Sequence, residues 1–585
     1  HRRRFQGWEI SDLGAGASAD AYDALPIPPS LQEVISQRLR SLSEAGRSLV
    51  ELAAVFGREV DLALLLDALS MSERRASLLL DDLTSRQIME HTETGTIRFV
   101  HEKLREVVYS EISGNEVRDL HRRAALAIEA AYGESAEAGR FWGSLGHHFS
   151  VAGFPEPAAL YLGKAGDQAR AGHANAEALE HYRRALGSVA EVRRGDPADP
   201  ARWAALASQL AEAAADLLAL SGRAEEARQT YETALGDRVA RDGLGRARLL
   251  RKMGKVFENQ HRHEESLEVY QQAEAALGPE PGSGSDAGAD AGSDADADAD
   301  AWRAEWFQLR SQQVFSNYWL ARVPALEHLV AELTEKVERH ENPRDRARLH
   351  QAEMHLSFRR ERYMISADGV EHARAALNAR LAAGDLSELP LAHFNFAFAM
   401  YLHEDYLSAD WELQSALSAA ERTGDVAHQA RCLTYLTAVA RRQQRIDDVR
   451  IRVARSRAVA ESANMRDYIG AAHANLAWLA VREGDLIRGE EEARLALDVW
   501  GSLTYVFPFQ WMALFPMMMA KLFQGDIVAA MTCIGASVRS PQQRLPEAVA
   551  SILRAAQQAF DEGAIGRTSD LLHAGLDTFQ QFGFL

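Results

Sequence analysis

The chain has 585 residues, 47 % of them apolar and 25 % charged, with a formal net charge of −19. That length suits several domains or one long repeat array, and the apolar share can build a sizeable core. Two cysteines, Cys432 and Cys533, exclude a disulfide scaffold and a Cys-rich metal protein, and they suit a reducing cytoplasm. No apolar run reaches the roughly 18 residues that cross a bilayer, and the acidic balance argues against nucleic acid as a partner.

The sequence opens on His1 without a signal-peptide pattern, so the expectation is a piece of a longer cytoplasmic protein. Residues 1–29 carry few periodic apolar positions and end in Leu25-Pro26-Ile27-Pro28-Pro29, a stiff extended connector. Residues 30–133 read as one module. Ser30 looks like an N-cap, with Leu31, Val34, Ile35 and Leu39 on one helical face. Ser43 opens a second helix with Leu49, Leu52, Ala53 and Val55 inward, and Gly57 closes it. Residues 60–69 and 72–83 supply two more helices. Residues 88–91 and 97–100 flank Glu93-Thr94-Gly95-Thr96 as strand, tight turn, strand. Helical pattern resumes over 102–111 and 116–132. Short helices, one β-hairpin and a further helix make a winged-helix-like module.

From 137 onward the chain is helical with a repeated small–large–small triplet. It appears as Ala178/Tyr182/Ala185, Ala227/Tyr231/Ala234 and Ser266/Tyr270/Ala273. Later it recurs as Gly369/Ala373/Ala376, Ala409/Leu413/Ala416, Val449/Val453/Ser456, Gly489/Ala493/Ala496 and Ala529/Cys533/Ala536, stepping by 40 residues. A fixed period of this size with two helices per unit signals a helical solenoid, because a helix pair cannot bury its apolar stripe alone. The fold class expected is therefore all-α, a superhelix of helical pairs preceded by the small module. The tract 278–300, built from Gly, Ala, Asp, Ser, Pro and Glu, has no large apolar residue and reads as a disordered acidic loop. It separates repeats over 137–277 from repeats of about 40 residues over 301–585.

No active site is legible. The Gly-Lys pairs, Gly163-Lys164 and Gly254-Lys255, lack the Gly before and the Ser or Thr after that a P-loop requires. There is no H-E-x-x-H, C-x2-C, G-x-S-x-G or H-R-D, so the chain is read as non-enzymatic and without a cofactor of its own. His147-His148 and His261 with His263 hint at metal, but no carboxylate or Cys accompanies them at a repeating ligand spacing. They are taken as surface histidines, and no metal site is assigned.

Trp142-x2-Leu145-Gly146-x2-Phe149 followed by Ala158, and Gly254-x2-Phe257 followed by Ser266, Tyr270 and Ala273, resemble the tetratricopeptide (TPR) pattern. Residues 25–69, 97–112 and 120–130 are similar to the winged-helix region that follows the nucleotide-binding core of large bacterial signal-transduction ATPases of the STAND/AAA class. That class includes LuxR-type activators and regulators carrying a protein-kinase or nucleotide-cyclase domain. The resemblance implies that residues 1–29 are the tail of an upstream ATPase module that binds ATP or ADP with Mg. It implies a regulatory role: the repeats sense a partner and release the ATPase, with oligomerisation on activation. A stand-alone TPR scaffold is the alternative, and a DNA-binding winged-helix regulator the third reading.

Two site expectations follow. By the resemblance, His101 in Phe99-Val100-His101-Glu102 stands where related ATPases place a Met-His-Asp histidine against the nucleotide's β-phosphate, with Val and Glu replacing Met and Asp; the alternative is a helix-start histidine packing on its own domain. In the repeats, one inward position in the 40-residue phase falls on Phe358, Phe398, Ala438, Trp478 and Met518. Another falls on Arg362, Leu402, Arg442, Arg482 and Leu522. Such a row of aromatics backed by arginines would suit an acidic peptide or protein partner in the groove. The alternative is that the aromatics are core between repeats and the arginines are solvated.

Overall fold

A computed structural model describes residues 29–92, 95–133, 138–237, 242–281, 293–340, 342–384 and 388–585. The chain divides into two compact units, residues 1–203 and 204–585. The expected connector within 1–28 lies outside the described residues, as does 282–292 of the acidic tract. No helix among the described residues is long and apolar enough to cross a membrane.

The first unit begins with α1 (Pro29–Arg40), α2 (Glu44–Phe56), β1 (Glu59–Asp61), α3 (Leu62–Leu69), α4 (Glu73–Ser85), β2 (Met89–His91), β3 (Thr96–Phe99), α5 (Glu102–Glu111) and α6 (Gly114–Tyr132). Ser43 caps α2 by accepting from the Gly46 amide, and Asp61 caps α3 through the Ala63 and Leu64 amides. The strands form one antiparallel sheet in the order β1-β3-β2, with Val60 opposite Ile97 and Met89 opposite Phe99. Leu49, Leu52, Leu65, Leu83, Ile88, Ile97 and Phe99 close the core beneath it. The sequence reading took 60–69 as all helix. Glu59–Asp61 is instead an edge strand that buries only Val60, because three residues alternate too briefly for a period of two to show.

Helices α7 (Trp142–Ala152), α8 (Pro155–Ala171) and α9 (Asn175–Arg194) complete this unit as antiparallel neighbours. Ala178, Tyr182 and Ala185 are all fully buried, and the Tyr182 hydroxyl donates to Asp167 Oδ1 at 2.7 Å.

Helix α10 (Pro200–Leu220) crosses the division between the units. The second unit continues as α11 (Ala224–Asp237), α12 (Gly243–Asn259), α13 (His263–Leu277), α14 (Ser293–Trp319), α15 (Val323–Arg339), α16 (Pro343–Arg360), α17 (Ala367–Ala382), α18 (Leu389–Leu402), α19 (Tyr406–Thr423), α20 (Val426–Arg442), α21 (Ile446–Ser462), α22 (Arg466–Arg482), α23 (Leu486–Gly501), α24 (Trp511–Phe523), α25 (Ile527–Val538), α26 (Glu547–Asp561) and α27 (Ile565–Gln581). These are TPR-like helical repeats. The acidic tract ends earlier than its composition suggests, since α14 starts at Ser293.

The triplets are the packing positions of the second helix in each pair. Ala227, Tyr231 and Ala234 are buried, as are Ser266, Tyr270 and Ala273, and likewise the sets at 369, 409, 449 and 489. The expected last set, Ala529/Cys533/Ala536, is off by one. Ala530, Ile534 and Ser537 are the buried positions, because α25 starts a residue late, while Cys533 is half-buried. Several turns are set by an aspartate cap after a left-handed residue. Gly424, Gly484 and Gly525 have φ of 73°, 84° and 79°, and the next residues, Asp425, Asp485 and Asp526, accept from the amide three residues on.

Candidate functional site

The inward row expected to line an open groove is filled by the chain itself. Phe358 and Trp478 are fully buried, and Phe358 meets Phe398 edge-on with ring centroids 5.5 Å apart. Arg362 gives its Nε and Nη2 to the Gln542 carbonyl at 2.9 and 2.8 Å. Arg442 donates to the Phe582 carbonyl and stacks 4.6 Å from Trp511 and 4.5 Å from Phe584. Arg482 lies 6.0 Å from the Trp478 ring. An open row of large aromatics would leave apolar surface wet. Three segments cover it instead: residues 503–510, residues 540–546 and the C-terminal Phe584-Leu585. In the first, Tyr505, Phe507 and Phe509 turn inward while Val506 faces out. The groove at this level is a plugged core, a correction to the sequence reading. His101 belongs to the first unit, exposed just before α5, and its side chain makes no cap hydrogen bond.

Most of the histidines read as surface groups are also inside. His148, His261 and His263 are all buried. In the first unit, Nδ1 of His148 lies 2.9 Å from Nδ1 of His121, whose Nε2 meets the Tyr109 hydroxyl. In the second unit, His261 Nδ1 lies 3.0 Å from the Tyr505 hydroxyl and 3.2 Å from Asp467 Oδ2. Neither Asp467 oxygen has an aligned hydrogen bond. Burial pushes the Asp467 carboxyl up to about 7 against the pull of Arg431, and burial with the neighbouring cations holds His261 well below the usual range.

An open cavity remains on the same inner face, two helical turns nearer the helix starts. It holds ≈ 130 Å³ and is lined by Lys255 and Glu258 of α12, Gln308, Ser311, Gln312 and Phe315 of α14, Arg348 and Gln351 of α16, Arg380 of α17, Glu388, Leu391 of α18, and Arg431 of α20. Four cations face two carboxylates. Lys255 pairs with Glu258, Arg348 with Asp345 at 3.1 Å, and Arg380 with Glu388 at 2.5 Å. Arg431 is buried, and its Nη2 has no hydrogen-bond partner; Gln312 Oε1 is likewise unused. Burial opposes the Arg431 charge, but Tyr468, Glu258, Asp425 and Asp467 outweigh it and raise its pKa. A second cavity of ≈ 500 Å³ shares Gln308, Arg348 and Glu388 and adds Arg303 and Arg344. Together they offer buried forked donors, an aromatic wall and room beside them, which suits a carboxylate-bearing ligand.

The sequence held a signal for this site. Gln351, Leu391 and Arg431 step by 40 and each stands seven residues before Phe358, Phe398 and Ala438.

No family model matches the chain, and no curated protein matches it. Among solved structures, it superposes on a Signal Transduction ATPase with Numerous Domains (STAND) protein with a tetratricopeptide repeat sensor from Pyrococcus horikoshii at 12 % identity and TM-score 0.37. That superposition covers 88 % of this chain and 65 % of that one, so the chain spans just under two thirds of its length. The apo form of RapI matches at 12 % identity and TM-score 0.36, over 57 % of this chain and 86 % of that one. A Rap protein complexed with Competence and Sporulation Factor matches at 10 % and 0.25, over 86 % and 96 %. Superpositions this distant say nothing about what this chain binds.

Proposed function

We propose that the helical array is a sensor and interaction segment that captures an acidic peptide, or an acidic segment of a protein, in the cavity beside Arg431. One observation carries this reading: four cations, Lys255, Arg348, Arg380 and Arg431, line an open cavity whose lining holds two carboxylates, Glu258 and Glu388. An excess of positive charge at a partly enclosed site favours a bound carboxylate, which would add charge-assisted hydrogen bonds. The adjoining cavity gives the rest of a peptide somewhere to lie. The test is calorimetric titration of the chain with two peptides of equal length, one glutamate-rich with a free C-terminus, the other with glutamines and an amidated end. Binding of the acidic peptide alone supports the reading. Equal binding of both, or none at low salt, removes it.

The helix–strand–helix–helix–hairpin order of α2 to β3 supports reading the first module as a winged helix. In this account it links the array to an upstream STAND/AAA-type ATPase that holds ATP or ADP with Mg. Partner capture would then shift the nucleotide state and promote oligomerisation in the cytoplasm. His101, exposed before α5, is the group placed to meet the nucleotide. ADP release from the longer protein tests this; release unchanged by His101→Ala would remove the contact. DNA reading by α4 is disfavoured, because exposed Arg74 and Arg75 share the helix with exposed Asp81.

A further inference from the structure

His350 and Glu353 stand one turn apart on α16, and His372 faces them from α17. Glu353 Oε2 lies 2.9 Å from His350 Nδ1 and 3.0 Å from His372 Nδ1, and one ligand atom from each of the three residues falls within 4.8 Å of the others. All three side chains are half-buried, so the cluster is within reach of solvent.

The repeat explains two of these residues and leaves the third over. Positions 353 and 372 recur 40 residues later as His393 and Glu412, then as Leu433 and Arg452, then as His473 and Glu492. His393 contacts Glu412 at 2.5 Å and His473 contacts Glu492 at 2.7 Å, so a His–Glu clasp between paired helices is a device of the array. Position 350 recurs as Pro390, Ala430 and Gly470, none of which offers a ligand. His350 therefore adds a third donor to one clasp, and the clasp does not need it to join the helices.

We propose that His350, Glu353 and His372 bind a transition-metal dication, with Zn²⁺ favoured by the ligand set. Two imidazoles and one carboxylate are an established zinc donor set, leaving a fourth position for water or an incoming ligand. Metal–ligand bonds of about 2.0–2.2 Å in tetrahedral array put donors about 3.3–3.6 Å apart, so each Glu–His contact opens by about half an ångström while the two imidazole donors, within 4.8 Å of each other, draw together. Metal at each Nδ1 displaces the proton shared with Glu353, which passes to Nε2 of a neutral ring or to solvent from a protonated one. Exposed Asp368, one turn before His372 on α17, adds negative charge nearby.

The experiment is calorimetric titration of the 585-residue chain with Zn²⁺, repeated with Co²⁺ to read its visible absorption. One saturable site is expected, weakened about tenfold or more by His350→Ala and by His372→Ala. His473→Ala, which breaks a clasp lacking the third donor, leaves that affinity unchanged; circular dichroism confirms that each variant is folded. The absence of a saturable site overturns the proposal. So does a site that either His350→Ala or His372→Ala leaves untouched, or one that His473→Ala weakens equally.

Discussion

Lys255 and Arg431 hold their charges against one aromatic ring: the lysine Nζ lies 5.3 Å and the arginine guanidinium carbon 5.4 Å from the Phe315 centroid. Lys255 is neutralised by Glu258, whose other oxygen accepts from the Tyr270 hydroxyl at 2.8 Å. Arg431 keeps an unused donor. The two charges are offset differently: Lys255 has a direct carboxylate partner, whereas Arg431 draws on the combined field of Tyr468, Glu258, Asp425 and Asp467.

The close approach of paired helices gives the first prediction. A Cβ on Gly254 would sit 2.3 Å from the Tyr270 ring, which is fully buried. Gly254→Ala is expected to destabilise the second unit by about 1–3 kcal/mol in urea unfolding. Gly535→Ala, in helix α25 with open space around it, should instead gain about 0.5–1 kcal/mol. Equal effects of the two would contradict this packing.

The plug gives the second. Phe509 is buried against Tyr363, with centroids 4.7 Å apart, and against Phe398. Phe509→Ala should cost about 3–5 kcal/mol. The replacement Val506→Ala, on the outward side of the same segment, should change stability by under about 1 kcal/mol. Thermal unfolding followed by circular dichroism separates the two; a mild Phe509→Ala would mean the segment does not fill the interior.

The histidine pair of the first unit gives the third. Burial, with neighbouring histidines, pushes His148 down to about 3 and His121 to about 4. The folded state therefore refuses protons that the unfolded chain accepts below about 6.5. The stability of this unit should be full above that pH and fall as pH drops from about 6.5 toward 4. His148→Phe, which keeps the ring contact with Phe56, should flatten that fall. A melting profile with the same slope in the variant would show that other groups set it.

The repeat was legible because its signal is steric: the flanking positions of Ala178/Tyr182/Ala185 and of most later copies are small, which lets two helices approach, while the middle residue varies from Tyr to Ala. The level of the open cavity was not legible, because Phe358 and Arg431 both occupy inward positions in the same 40-residue phase. What distinguishes them is whether another segment covers them, and the covering segment, Tyr505-Val506-Phe507-Pro508-Phe509, is distant in sequence. The buried histidines were missed for a related reason. His261 and His263 lie next to Gln260, Arg262, Glu264 and Glu265, a polar run that resembles surface until Trp319 and Tyr505 pack over it. His350, by contrast, stands out only once the clasps of the other repeats are aligned with it.

The account turns on the cavity beside Arg431, and one comparison tests it most directly. The affinity of a glutamate-rich peptide is measured for the unaltered chain, for Arg431→Gln, and for Arg442→Gln, whose guanidinium is held by the Phe582 carbonyl inside the plugged region. Lys255→Gln, at a half-buried position, guards against misfolding of the Arg431 variant. The account predicts a loss of about tenfold or more for Arg431→Gln, a smaller loss for Lys255→Gln and none for Arg442→Gln. Binding that survives Arg431→Gln and Lys255→Gln but falls with Arg442→Gln would contradict it.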